Sequence, residues 1–261
     1  YEMLRSLVGS EMCIGDRAKA DSFNGVDVAL FAGGSISKTF APIAVKAGAV
    51  VIDNSSTYRM DPEVPLIVPE VNPQDIKKHK GIIANPNCST IIMVMALKPI
   101  YDLARIKRII VSTYQAASGA GKDGLDELER QIKEAAAGKE MTAHIFPSAS
   151  AAKHFPLALN LVPQIDVFLD NLYTKEEMKM VNETKKIFSD PEMRITATTV
   201  RVPVYRSHSE SVNVELEHDV ELADIRKALS QFPGVVLQDD PSQQILSLIH
   251  ISEPTRLLSI S

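Results

Sequence analysis

A thiol and an imidazole are the side chains here best suited to covalent chemistry: Cys88, in Asn85-Pro86-Asn87-Cys88-Ser89-Thr90, and His208, in Ser207-His208-Ser209-Glu210. Asn87 is a good helix N-cap, which puts Cys88 in a first helical turn. There the unsatisfied N–H groups and the helix dipole favour a negative sulfur, and the same groups can bind a phosphate or an oxyanion. The thiolate is therefore expected to form more easily, and ready alkylation at neutral pH would separate a nucleophile from an inert structural cysteine. A small buried hydrophobe at a strand–helix junction fits the same position. His208 shares strand parity with Val212, Val214 and Leu216. It belongs at the end of an inward face, where a histidine is more often a satisfied core residue than a catalyst.

Charged residues supply further candidates. Arg201 lies inside the apolar run TTVRVPV, so it needs a partner: either a structural glutamate or the carboxylate of a substrate, gripped by the two-pronged guanidinium. Glu176 and Lys179 share one helix face and, taken alone, read as a solvated ion pair. Arg59, in SSTYRMDP, follows a strand at the place where α/β folds put ligand contacts, and is otherwise a surface arginine. Gly33-Gly34-Ser35 separates a strand from a helix and suits close approach of backbone to a cofactor, although no GxGxxG occurs.

The elements that must position these residues alternate. Val26–Ala32 and Ala49–Asp53 are short apolar strands around a helix from Ser37 to Ala47, which Gly48 closes. Such continuously apolar strands predict a parallel sheet covered on both faces. A strand over Gly81–Ala84, a helix from Cys88 to about Ala104, a strand over Ile106–Tyr114 and a helix over Asp123–Ala137 follow. Beyond them are a helix over Lys175–Phe188, two β-branched strands (Arg194–Tyr205 and His208–Glu217) and a helix over Leu222–Phe232. The two strands are close in sequence, which predicts an antiparallel pair.

Composition bounds the partners. A net charge of −5 argues against nucleic acid, which needs a basic face. No apolar run is long enough to cross a bilayer, and no secretory signal is readable. Two cysteines cannot build a metal cluster or a disulfide framework, so no metal is expected and a cytoplasmic location is.

Together these segments resemble the aspartate-semialdehyde dehydrogenase family from about Arg17 to Ile245. The resemblance is carried by ALFAGGSISK, VVIDNSSTYRMDPEVPLIVPEVN, ANPNCSTI, VSTYQAASGAG, FPLALNLVPQIDVF, KEEMKMVNETKKI and RVPVYRSHSESV. It implies a glyceraldehyde-3-phosphate-dehydrogenase-like α/β architecture. A partial Rossmann-type, parallel-sheet NADP-binding domain would span residues 17–87, and an α+β catalytic and dimerisation domain 88–245. The implied reaction is NADP-dependent reductive dephosphorylation of L-aspartyl 4-phosphate to L-aspartate 4-semialdehyde through a cysteine thioester, in lysine, threonine and methionine biosynthesis. By the resemblance Cys88 is the nucleophile, His208 the acid/base, and Gln115 orients the intermediate. Arg201 would bind the substrate α-carboxylate and Glu176 its α-amino group. Arg59, Lys179 and Asn87 would bind phosphate, and Ala32, Gly33, Gly34 and Ser35 would line the NADP site. A homodimer or a dimer of dimers is implied. The alternatives are N-acetyl-glutamyl-phosphate reductase, whose cysteine typically sits in NPGCY, and a non-catalytic interaction subunit.

Residues 1–16 and 246–261 do not continue the patterning beside them. SLVGSEMCI and LSLIHISEPTR resemble translated sequencing-library adapter and are read as non-native tails that should pack against little. The family's opening strand and G-x-x-G-x-x-G loop are not found, so this polypeptide is expected to bind NADP(H) poorly and to aggregate.

Overall fold

The computed structural model describes residues 18–238, Ser242 and Leu258–Ile260. The chain forms two compact units. One comprises the residues through Pro65 together with Ile76–Asn85; the other comprises Leu66–Asp75 and the residues from Pro86 onward.

In the first unit a 3-10 turn, Ala20–Phe23, precedes strand β1 (Val28–Phe31), helix α1 (Ser35–Lys46), β2 (Val50–Asp53) and β3 (Ile82–Ala84). The strands form a parallel sheet in the order β1-β2-β3, with Val28 opposite Val50 and Val51 opposite Ile82. Gly48 takes φ +103° just past the end of α1, a left-handed turn that an L side chain would strain. Phe23, Ala29, Ala41, Ala44, Ala49 and Val51 make the core on one side of the sheet. The expected cover on both faces is not seen among the described residues: Val28 and Leu30, on the opposite face, are 55% and 70% exposed.

The second unit is built on a mixed sheet. Its elements are α2 (Cys88–Leu103), β4 (Ile106–Gln115), a 3-10 turn (Ala117–Ala120), α3 (Gly121–Ala136), α4 (Lys175–Phe188), β5 (Arg194–Arg201), β6 (Ser209–Leu216), α5 (Leu222–Gln231), β7 (Val235–Leu237) and β8 (Leu258–Ile260). The expected β5–β6 hairpin does not form. The order is β5-β4-β6, with β5 parallel and β6 antiparallel to β4. The reason is burial. Ile106, Ile109 and Val111 of β4 carry the core formed with Met93, Leu97, Met180, Met193 and Ala197. A strand so buried needs ladder partners on both edges. Residues 202–208 give the chain the length to pass from one edge of β4 to the other.

Two devices hold the helices and loops in place. Thr174 and Glu177 form a reciprocal capping box at the start of α4, and Glu177 also accepts from the Thr199 N–H, tying α4 to β5. On α3, buried Glu127 accepts from the His144 and Ile145 N–H groups, and Gln131 accepts from those of Leu157 and Ala158. These bonds satisfy the backbone of an irregular stretch that would otherwise be buried unpaired.

Residues 1–16 lie outside the described residues, as does most of 246–261. Leu258–Ile260, however, pairs in parallel with β7, contrary to the expectation that this tail packs against little. Its alternating apolar Leu-Ser-Ile is compatible with an edge strand, and β7 offers an unpaired edge.

Candidate active site

The start of α2 is organised by Asn87. Its Oδ1 accepts from the N–H groups of Ser89 and Thr90 at 3.0 and 3.2 Å, capping the helix as expected. Its Nδ2 donates to Glu176 Oε1 at 2.9 Å, and its backbone N–H donates to Glu183 Oε2 at 2.6 Å. Glu183 is a buried site neighbour that the sequence reading passed over. The signal was available: Glu176 and Glu183 stand two helical turns apart and therefore on one face of α4.

Glu176 and Lys179 are paired as the spacing predicted, at 3.0 Å, but the pair is not solvated. Glu176 is buried and is also within 3.4 Å of Gln115 Nε2, while Lys179 reaches Asp166 at 3.3 Å. Burial opposes the charge on Glu176, but Lys179, Asn87 and Gln115 outweigh it and hold the carboxyl below its usual range. Burial likewise opposes the Lys179 ammonium, and Glu176 and Asp166 outweigh it and raise its pKa.

Gln115 ends β4, and Arg201, its register partner on β5, lies beside it. Arg201 is 4% exposed. Its Nη1 donates to the Ala116 carbonyl at 2.7 Å, and its guanidinium carbon stands 5.9 Å from the centre of the Phe146 ring. Among the described residues no carboxylate pairs with it, and its Nε has no partner. The structural ion pair considered from the sequence is thus not formed. His208, immediately before β6, accepts on Nδ1 from the Ala116 N–H at 3.1 Å. Ala116 therefore contacts both side chains, His208 through its N–H and Arg201 through its carbonyl, which belong to successive peptide units. Gly119 makes this possible: a Cβ there would lie 2.6 Å from Arg201 Nη1 and 3.2 Å from His208 Nε2. The sequence reading did not single out Gly119 for this, because its need is tertiary.

Cys88 and His208 each sense the charges of Glu176 and Arg201. The thiol does not behave as the helix position suggested. Cys88 reaches solvent, but protein surrounds its sulfur on most sides. Burial and then the Glu176 carboxylate push the thiol up from its ordinary value, against bonds to Ser89 and the Arg201 charge. A raised thiol pKa means less thiolate at a given pH than the helix position alone suggested. For His208, burial and then Arg201 bring the pKa down to about 4, with Glu176 opposing.

In the first unit, the cofactor-type turn lies where β1 runs into α1. Gly34 is the N-cap residue with φ 58°; no side chain caps the helix, and a Cβ at Gly34 would meet nothing within 4 Å. Open space thus stands before the helix N-terminus, which fits close approach of a pyrophosphate to backbone. Buried Asp53 fixes this turn by accepting from Ser37 Oγ at 2.8 Å and Ser55 Oγ at 2.7 Å. Thr57 Oγ1 in turn donates to the Gly34 carbonyl. The same loop carries Arg59, whose Nη2 donates to the Asn54 carbonyl at 2.9 Å. Ala32 and Gly33 are exposed at the turn, and Ser35 opens α1.

A parallel α/β unit with a cofactor-type turn, and a mixed-sheet unit that carries a cysteine, a histidine and a buried arginine, fit the class of two-domain dehydrogenases. Comparison with known proteins agrees and narrows it. Residues 4–79 match the NAD-binding domain of semialdehyde dehydrogenases and residues 97–260 their dimerisation domain. The chain is 52% identical over 239 residues to aspartate-semialdehyde dehydrogenase of Bacillus subtilis, covering 91% of this chain and 69% of that protein. It is 53% identical over 236 residues to the Aquifex aeolicus enzyme, covering 89% and 68%. The crystal structure of aspartate semialdehyde dehydrogenase II from Vibrio cholerae complexed with ASA superposes with a TM-score of 0.78 at 47% identity, covering 83% of this chain and 63% of that one. The chain belongs to the aspartate-semialdehyde dehydrogenase family of oxidoreductases.

Proposed function

We propose that this chain carries the family's reaction, converting L-aspartyl 4-phosphate to L-aspartate 4-semialdehyde with NADPH, in the cytoplasm and as a homodimer or a dimer of dimers. The observation that carries the reading is Arg201: a buried guanidinium with no carboxylate partner, within electrostatic reach of Cys88. Leaving such a group unpaired is costly, and the α-carboxylate of an amino-acid substrate would satisfy it with two parallel bonds. Glu176, held ionised, is the complementary site for the α-ammonium.

With both ends of the amino-acid head so held, the acyl carbon is presented to Cys88. The sulfur attacks, phosphate leaves, and a thioester remains; sulfur is suited to this because it is a strong nucleophile and a good leaving group. Gln115, between Arg201 and Glu176, orients the acyl group. His208 serves as the acid/base, beside the space that Gly119 leaves open. Arg59 and Lys179 supply positive charge for the phosphate. Asn87 chiefly holds the Cys88 turn and Glu176, and reaches the anion only by giving up its bond to Glu176. Ala32, Gly33, Gly34 and Ser35 would hold the dinucleotide, which when bound supplies the hydride that reduces the thioester.

The test is phosphate-dependent formation of reduced nicotinamide when the chain is incubated with aspartate semialdehyde, NADP+ and phosphate. The signal should require phosphate and vanish in Cys88→Ser. A Cys88→Ser protein that keeps even a tenth of the rate would remove the cysteine from the chemistry.

A further inference from the structure

We infer that Asp166 is the counter-ion that phosphate displaces from Lys179, and that this carboxylate thereby limits how tightly the site keeps phosphate. The inference rests on the reading of Lys179 as a phosphate-binding residue, and adds the residue that sets the strength of that binding.

The Lys179 ammonium stands between two carboxylates, Glu176 Oε2 at 3.0 Å and Asp166 Oδ2 at 3.3 Å. Both stabilise its charge against burial. One positive charge between two negative ones is a poor seat for phosphate, which brings further negative charge of its own. One carboxylate has to give way before Lys179 can serve a phosphate.

The two carboxylates are not equal. The Glu176 side chain is 7% exposed and is fixed by Lys179, Asn87 Nδ2 and Gln115 Nε2 together. The Asp166 side chain is 31% exposed, and its contact with Lys179 is the longer of the two. Nor does Asp166 depend on that contact. Its Oδ1 accepts from the Val167 N–H at 2.9 Å, and water can solvate the rest of a carboxylate so exposed. A pair on the solvent side is screened and weak. The lysine stem is flexible, so a small swing takes Nζ from Asp166 to a phosphate while its bond to Glu176 persists.

The backbone keeps Asp166 in place meanwhile. Its φ of +68° lies in the left-handed region, which aspartate and asparagine tolerate better than most residues. Its carbonyl accepts from Gln164 Nε2 at 3.1 Å, and the next carbonyl, that of Val167, accepts from the N–H of Lys175, the first residue of α4. The carboxylate is thus tied to the helix that carries Glu176 and Lys179, and stands ready to recapture the lysine. In the proposed reaction phosphate is a product of acyl transfer. A lysine with no competing counter-ion would retain it longer.

The test is a titration of the full chain with inorganic phosphate at pH 7.5, followed by 31P NMR, which requires neither cofactor nor turnover. Asp166→Asn removes the charge, keeps an oxygen for the Val167 N–H and suits the left-handed backbone. It should bind phosphate about two- to fivefold more tightly than the parent, the range set by a solvent-exposed ion pair. Asp166→Gly, which the same backbone angle allows, should shift in the same direction, and decides the matter if the asparagine variant fails to fold. Loss of a merely structural residue does not tighten binding. Unchanged or weaker binding in a folded variant would overturn the inference. Lys179→Gln separates that failure from failure of the reading beneath it. If Lys179→Gln weakens phosphate binding while Asp166→Asn matches the parent, Asp166 alone is wrongly assigned. If Lys179→Gln changes nothing, Lys179 does not hold phosphate and both readings fall.

Discussion

Gln115 and Arg201 are register partners on the parallel strands β4 and β5, and Arg201 turns its guanidinium back to donate to the Ala116 carbonyl at 2.7 Å. The strand ladder sets where the side chain starts, and Ala116 and Phe146 set where it ends. One terminal nitrogen is anchored, which leaves the remaining donors for a ligand. Lysine has the charge but neither the planar fork nor a second prong. Arg201→Lys should therefore cost one charge-assisted bond, roughly 1.5–3 kcal/mol, or about tenfold or more in kcat/KM. Steady-state kinetics with aspartate semialdehyde decide this; unchanged kinetics would mean that Arg201 does not touch the substrate.

Glu176 raises the Cys88 pKa, so removing its charge should lower it. A lower pKa gives more thiolate at any pH below it, and the thiolate is the form that reacts. Glu176→Gln keeps an oxygen for Asn87 Nδ2 and should alkylate faster than the parent at pH 8. In the parent the rate should keep climbing above pH 9. A plateau already reached at pH 7 would restore the low-pKa thiolate expected from the helix position.

Gly119 lies in a 3-10 turn with ordinary backbone angles, so Gly119→Ala should fold. Its new methyl would stand 2.6 Å from Arg201 Nη1 and 3.2 Å from His208 Nε2, and both side chains must move. The expected outcome is a higher KM, from the displaced arginine, together with a lower kcat, from the displaced histidine, at a parental melting temperature. A variant with parental kinetics would show that neither position matters.

Glu210 faces the core side of β6, opposite Thr113, and neither of its carboxyl oxygens has a partner among the described residues. Burial pushes its pKa up to about 8. Between about 4.5 and 8 the folded chain then holds a proton that the unfolded chain has lost, so this group lowers stability as pH rises through that window. Glu210→Gln cannot ionise. It should melt close to the parent at pH 5 and higher at pH 8, because the parent alone must hold or lose a proton in that window. Parallel melting curves across that range would show that Glu210 is not a buried acid. His208 has the opposite sign: its depressed pKa favours the folded state above about pH 6.5, and that contribution is lost as pH falls toward about 4.

What the sequence determined by itself is local. Asn87 as a cap, Gly48 past a helix end, the α4 span and the inward parity of Val212 to Leu216 all follow from interactions within a few residues, which hydrogen-bond geometry and side-chain periodicity fix. The placement of Cys88 was legible for the same reason, since a cap at Asn87 puts it at a helix start. Strand order was not legible: β5 and β6 are neighbours in sequence, yet each pairs with β4, because burying Ile106, Ile109 and Val111 outweighs closing a hairpin. The thiol's charge state was not legible either. The helix dipole can be read from the sequence, but the desolvation of the Cys88 sulfur and the approach of Glu176, almost ninety positions away, cannot. Nor could any spacing show that Ala116 would hold His208 through its N–H and Arg201 through its carbonyl, or that Gly119 must lack a side chain to let it. Those facts depend on which atoms meet once the chain has folded, and on how far protein replaces water around them, and so only the tertiary structure decided them.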